Sequence, residues 1–154
     1  MTDMPRTQVL MNADYDIVLF NALKIYYFRT TVGDIEMETP PDIELALKSL
    51  LTIIQRTFAS TGNELHDRLQ WPLFLAGIET PNGFYSDWIL ERMTKNRARA
   101  ALKTIIQRQS YSGKQLKRLT MYQIRSLLFE GEASENVALP GAGEGSFWET
   151  LAEF

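Results

Sequence analysis

The sequence predicts an all-α protein: about six helices in a compact domain, then a flexible Gly/Glu-rich linker and a short aromatic-acidic segment at the C-terminus. Apolar residues recur at intervals of three and four across several windows. Hydroxyl caps, prolines and glycines bracket those windows at the offsets where helices start and stop. No pair of alternating runs flanks a hairpin turn, and nothing repeats at a fixed period of 20–50 residues. Residues 1–130 form the expected helical domain and 131–154 the tail.

The first element is a broad apolar segment from Asp16 to Thr30, Ile17-Val-Leu-Phe-Asn-Ala-Leu-Lys-Ile-Tyr-Tyr-Phe28, whose length favours a buried helix over a strand. Thr39-Pro-Pro-Asp42 reads as the start of the second, with Thr39 as N-cap, proline in the first turn and an acid near the free amides. Ile43, Leu47, Leu50, Ile54 and Phe58 follow at helical spacing, and Ala46, Leu51 and Ile53 widen the stripe. Thr61-Gly-Asn-Glu64 offers a stop glycine and a second capping box leading into the next helix.

That next helix, in Leu69-Gln-Trp-Pro-Leu-Phe-Leu-Ala-Gly-Ile-Glu-Thr80, is the most particular stretch of the chain. Trp71, Leu75 and Ile78 fall on one helical face and are expected to anchor the core. Pro72 requires the helix either to start near Leu69 or to bend there, because proline is tolerated only in a first turn. Gly77 is expected to let another backbone approach closely. Thr80-Pro-Asn-Gly83 is turn chemistry, and Asp87 to Met93 reads as a short helix. Ala98, Ala101, Leu102, Ile105 and Ile106 mark a further helix ending near Ser112-Gly113. Thr120-Met-Tyr-Gln123 is a third capping box, followed by Ile124, Leu127 and Leu128, with Gly131 closing the last helix.

Composition narrows the function. The chain has 154 residues, enough for one domain burying roughly 70% of its unfolded surface. With no cysteine, disulfides, thiol catalysis and cysteine-ligated zinc are excluded within these residues, and one histidine excludes a multi-histidine metal site. His66 reads as a helix-surface histidine. No apolar run is long enough to span a bilayer, and the N-terminus lacks the pattern of a signal peptide, so an intracellular protein without membrane partners is expected. Gly141-Ala-Gly-Glu-Gly145 follows no strand and carries an acid that repels phosphate, so it reads as linker. The acid pairs Asp14/Asp16 and Glu36/Glu38 lie at turns or element ends, where solvated carboxylates are the default. No catalytic residue, cofactor site or metal site is assigned.

Charge is segregated along the chain. Residues 1–91 carry 6 basic and 13 acidic side chains, 92–129 carry 10 basic and none acidic, and 130–154 carry 6 acidic and none basic. Arg92, Lys95, Arg99 and Lys103 follow the polar side of the alanine-isoleucine stripe and form a candidate basic surface. A solvated face, or one that docks the acidic N-terminal half, is favoured over contact with nucleic acid. At the other end, Phe147, Trp148, Leu151 and Phe154 would share one helical edge beside Glu149 and Glu153. Such an edge suits an acidic-hydrophobic activation segment that binds a groove on a partner. Docking onto the domain's own helices as a C-terminal clasp is the favoured reading of the two.

The motif Leu69 to Glu79, followed by Asp87-Trp-Ile89, an arginine-dotted helix and Met121-Tyr-Gln-Ile-Arg125, resembles the C-terminal regulatory domain of fungal zinc-binuclear-cluster transcription factors. Ala22-Leu-Lys-Ile-Tyr-Tyr27 is similar to that domain's helix preceding the tryptophan motif. The resemblance spans about Asp14 to Phe129, and Trp71, Pro72, Leu75, Gly77 and Ile78 carry it. It implies an all-helical regulatory region of a nuclear protein, acting through other transcription regulators or coactivators, and no enzyme activity. In the family a six-cysteine zinc cluster reads DNA; this chain has no cysteine, so direct DNA binding by these residues alone is not expected. The chain is then the C-terminal piece of a longer factor, a stand-alone regulator, or a truncated product. The competing reading is a small helical enzyme or ligand-binding protein of a biosynthetic pathway, with Tyr26, Tyr27, Trp71, Phe74 and Trp88 lining a pocket.

Overall fold

The chain runs α1 (Asp3–Val32), β1 (Met37–Glu38), α2 (Pro41–Ser60), a 3-10 turn (Asp67–Leu69), α3 (Gln70–Glu79), α4 (Gly83–Arg92), α5 (Asn96–Arg108), β2 (Ser110–Ser112), β3 (Gln115–Lys117) and α6 (Met121–Leu128). This computed structural model describes residues 3–32, 36–62, 65–80, 83–112 and 115–129. Among the described residues the fold is all-α as expected, with six helices and one small sheet. The expected linker and the Phe147–Phe154 segment lie outside the described residues, as do Gly113, Gly131 and parts of the Thr61–Glu64 and Thr80–Gly83 turns.

Helix α1 begins at Asp3, thirteen residues before the expected Asp16. Its buried residues Tyr15, Val18, Ala22, Ile25 and Arg29 repeat at intervals of three and four. Apolar side chains also cover the opposite side, so the amphipathic contrast that marks a helix boundary is missing. Helix α2 matches its predicted stripe, burying Ile43, Ala46, Leu47, Leu50, Leu51 and Ile54 against α1. Its N-cap is Pro40 rather than Thr39, and no side chain caps it. The Thr39 hydroxyl instead accepts from Arg118 Nη2 at 2.7 Å. Thr61 closes α2, and Gly62 adopts φ 72°, the left-handed conformation of a stop glycine.

The tryptophan helix starts where Pro72 allows it to start. Pro72 is the third residue of α3, in a turn whose amides have no intrahelical acceptor, so the missing N–H costs nothing there. A capping box at Thr61 does not launch it. Instead His66 is the N-cap of the 3-10 turn that leads directly into α3, and its Nδ1 accepts from the Arg68 amide at 3.1 Å. Tyr15 of α1 packs its ring 5.0 Å from the His66 ring.

The expectation of a single buried face on α3 is corrected. Every residue from Pro72 to Glu79 is buried, because α3 packs against α1, α2, α4 and α5 together. Leu75 and Ile78 are fully buried as expected, whereas Trp71 is half-buried at the margin, tilted against Tyr26 at 6.0 Å. Leu73, Phe74, Leu75 and Ile78 each contribute roughly 1.5–3 kcal/mol by leaving water. Gly77 accommodates a side chain rather than a backbone: a Cβ there would stand 2.7 Å from Leu102 Cδ2 and 3.4 Å from Ile89 Cγ2. Helix α5 thus packs into the notch that the glycine leaves.

The second correction is a small antiparallel sheet in the order β1-β3-β2, where no strands were expected. Helix α5 ends at Arg108, and Tyr111 pairs with Leu116 while Leu116 also pairs with Met37. Strands of two or three residues are too short to register as alternation, and in β3 only Leu116 is buried. The Thr120–Gln123 capping box is present: Gln123 N donates to Thr120 Oγ1 at 3.1 Å and Thr120 N to Gln123 Oε1 at 2.8 Å. Helix α6 packs on α5.

Candidate functional site

A charged cluster holds the interior together. Glu79, the last residue of α3, is fully buried, as are Arg29 of α1 and Arg118 just after β3. Arg29 Nε donates to Glu79 Oε1, and its Nη2 donates to the Ile78 carbonyl at 2.6 Å. Its Nη1 serves Gln109 Oε1 and the Leu119 carbonyl, both at 2.8 Å. Arg118 Nε reaches Glu79 Oε1 at 3.0 Å, Nη2 reaches the Thr39 hydroxyl at 2.7 Å, and Nη1 reaches the Met37 carbonyl at 2.9 Å. Gln109 Nε2 completes the network by donating to Ile78 O at 2.7 Å.

Two guanidiniums sharing one carboxylate leave an excess positive charge, and carbonyls at the ends of α3 and β1 offset it. Each guanidinium nitrogen has an acceptor inside the cluster, as buried donors require. Its duty is to tie α1, α3 and the sheet to one point. Sequence reasoning placed Arg118 only among the basic residues and Glu79 only at the end of the tryptophan motif, and read neither as buried; for Arg29 and Glu79 two signals were present. Arg29 continues the stripe Tyr15, Val18, Ala22, Ile25, and Glu79 is the only charged residue of α3.

The predicted residues sort differently. Pro72, Leu75, Gly77 and Ile78 are interior, and Trp71 lies at the margin, so the motif is scaffold. Arg92 is drawn inward: its guanidinium lies 4.4 Å over Trp88 and 5.2 Å over Phe58, and its Nη1 donates to the Trp88 carbonyl at 3.2 Å. Lys95 is half-buried, while Arg99 and Lys103 stand exposed one turn apart on α5. Phe147, Trp148, Leu151 and Phe154 lie outside the described residues.

The aromatic residues offered as a pocket do not converge. Phe74 is buried, Tyr27 is 71% exposed, Tyr26 pairs with Trp71, and Trp88 pairs edge-on with Phe58 at 5.9 Å. Burial raises the Tyr26 hydroxyl above its ordinary pKa, opposed by the positive Arg125 of α6. A cleft of about 220 Å³ opens elsewhere, beside Thr80, Ser86, Asp87 and Gln109. It is smaller than the roughly 300–1,000 Å³ typical of ligand sites, and its Gln109 amide is already engaged on both atoms. No group of three acids or histidines is placed to hold a metal among the described residues, and no described helix is long and apolar enough to cross a membrane.

What the fold leaves open is the outer face of α1. Ile17, Phe20, Leu23 and Tyr27 follow one another at spacings of three, three and four, and are 46%, 60%, 45% and 71% exposed. They lie on one side of the helix, opposite Val18, Ala22 and Ile25. Lys24 lies along it, its Nζ 4.8 Å over the Phe20 ring. Other exposed apolar residues, such as Leu45, Phe84 and Tyr122, come from separate elements. Contiguous apolar surface on a helix marks contact with another molecule more often than scattered residues do.

No protein-family model, curated protein or solved structure matches this chain.

Proposed function

We propose that this chain is a helical transcription-regulatory domain that acts by protein interaction, with the outer face of α1 as its contact surface and without DNA recognition of its own. The observation that carries the reading is the exposed series Ile17, Phe20, Leu23 and Tyr27. Its spacing is that of the anchors an amphipathic helix lays into an apolar groove, so the partner is a regulator or coactivator that presents such a groove. The regulatory context rests on the resemblance of the Leu69–Glu79 motif, and the placement of that motif in the interior is in keeping with a scaffold that displays a separate surface.

The test is a reporter assay in which the full chain is tethered to a heterologous DNA-binding domain. A change of reporter output, up or down, supports the proposal. Output equal to that of the DNA-binding domain alone removes it.

A further inference from the structure

The basic residues of α5 and the strand after it have a charge problem that the described fold does not solve. Arg99 and Lys103, four residues apart, project from the exposed side of α5, and Arg108 and Lys117 are also exposed. Ser110 pairs with Lys117 across β2 and β3, which brings Lys117 back to the end of α5 that carries Arg108. None of these four cations forms an ion pair with a described carboxylate. Of the two readings favoured for this basic stretch, a solvated face or one that docks the acidic N-terminal half, these four cations fit the first: among the described residues the ion pairs are Arg56 with Asp14, Arg68 with Asp16, Arg92 with Glu91, and the buried pairs of Glu79 with Arg29 and Arg118.

A complementary polyanion exists in the same chain. Residues 130–154 carry Glu130, Glu132, Glu135, Glu144, Glu149 and Glu153 and no basic side chain. They follow α6 directly, and α6 packs on α5. A segment of 25 residues can extend to about 80 Å, whereas the 13 residues of α5 measure about 20 Å, so reach does not limit the contact. Tethering keeps the tail at millimolar effective concentration next to the face.

We infer that the acidic tail 130–154 folds back over the solvent-facing surface of α5, with its glutamates set against Arg99 and Lys103 on one flank and against Arg108 and Lys117 round the C-terminal end of the helix. The contact is electrostatic, made by side chains in water, and is therefore reversible by salt. Because the tail occupies this face, any other polyanion must displace it to bind there. The inference concerns α5 and does not depend on the reading of α1.

The absence of cysteine makes the test specific. Ser146→Cys in the full chain takes a single nitroxide label, and amide signals of α5 are followed by NMR at low and high salt. At about 0.01 M salt, where the Debye length is about 30 Å, the amides around Arg99, Lys103 and Arg108 lose most of their intensity. At about 1 M salt, where it is about 3 Å, the intensity returns. It also returns at low salt in the labelled chain carrying Arg99→Gln, Lys103→Gln and Arg108→Gln, whose unchanged melting temperature shows that the fold survives. Undiminished α5 signals at low salt overturn the inference, and so does broadening that falls on Phe20 and Leu23 of α1 instead or persists in the charge-neutralised chain.

Discussion

Arg118 Nε lies 3.0 Å from Glu79 Oε1, and neither side chain reaches solvent. The pair joins residues 39 positions apart and fixes the segment after β3 to the end of the central helix. Through Met37 and Thr39, the same guanidinium also fixes the approach to α2. Glu79→Gln keeps the shape and removes the charge that Arg29 and Arg118 share. The expected loss is about 3–5 kcal/mol, the cost of leaving buried guanidiniums without their counter-charge. Urea denaturation measures it, and a loss below about 1 kcal/mol would show that the carboxylate behaves like a surface partner.

Gly77→Ala is expected to destabilise the protein by about 1 kcal/mol, although alanine is the better helix former by about the same amount. The new methyl stands 2.7 Å from Leu102 Cδ2, closer than real Cβ contacts come, so the fully buried Leu102 side chain must shift. Combining Gly77→Ala with Leu102→Ala tests the cause. A double-mutant cycle gives a favourable coupling above about 0.5 kcal/mol if the two groups compete for one volume, and simple additivity if they do not.

Tyr15 places its hydroxyl in the interior with no hydrogen-bond partner among the described residues. Its ring does the packing, against His66 and beneath the Arg68 guanidinium at 4.8 Å. Tyr15→Phe keeps those contacts and removes the unsatisfied oxygen, so stability rises by about 1 kcal/mol. A lower melting temperature for the variant identifies a partner for the hydroxyl.

DNA binding supplies another test of the functional proposal. The 154-residue chain mixed with duplex DNA is expected to show no salt-dependent association at physiological ionic strength. A measurable affinity whose logarithm falls linearly with the logarithm of salt concentration, with a slope of about −0.9 per phosphate contacted, contradicts this expectation.

The helices were legible wherever one face was apolar and the other polar. Helix α2 and the Thr120–Gln123 box emerge from spacing and hydroxyl placement alone. The start of α1 was not legible, because Leu10, Leu19 and Phe20 put apolar groups on its outer side and blur the period. The sheet was hidden for a different reason. Its order depends on Met37 meeting Leu116, a pairing across 79 positions that is secured by Arg118 and Glu79, and no local pattern reports it. Thr39 was misread for the same reason: its hydroxyl answers a distant guanidinium instead of the nearest amide. The candidate surface on α1 was present in the sequence only as excess hydrophobicity, and became a surface once Val18, Ala22 and Ile25 were seen to take the inner side.

The proposed contact of the outer face of α1 with a regulatory partner rests on Ile17, Phe20, Leu23 and Tyr27. Phe20→Asp with Leu23→Asp charges that face without touching the buried stripe, so the melting temperature stays close to that of the parent chain. The decisive measurement is reporter output with this variant tethered to a heterologous DNA-binding domain, beside the parent chain at equal protein level. The proposal predicts that the parent's effect on output is lost in the folded variant; an effect of undiminished size contradicts it.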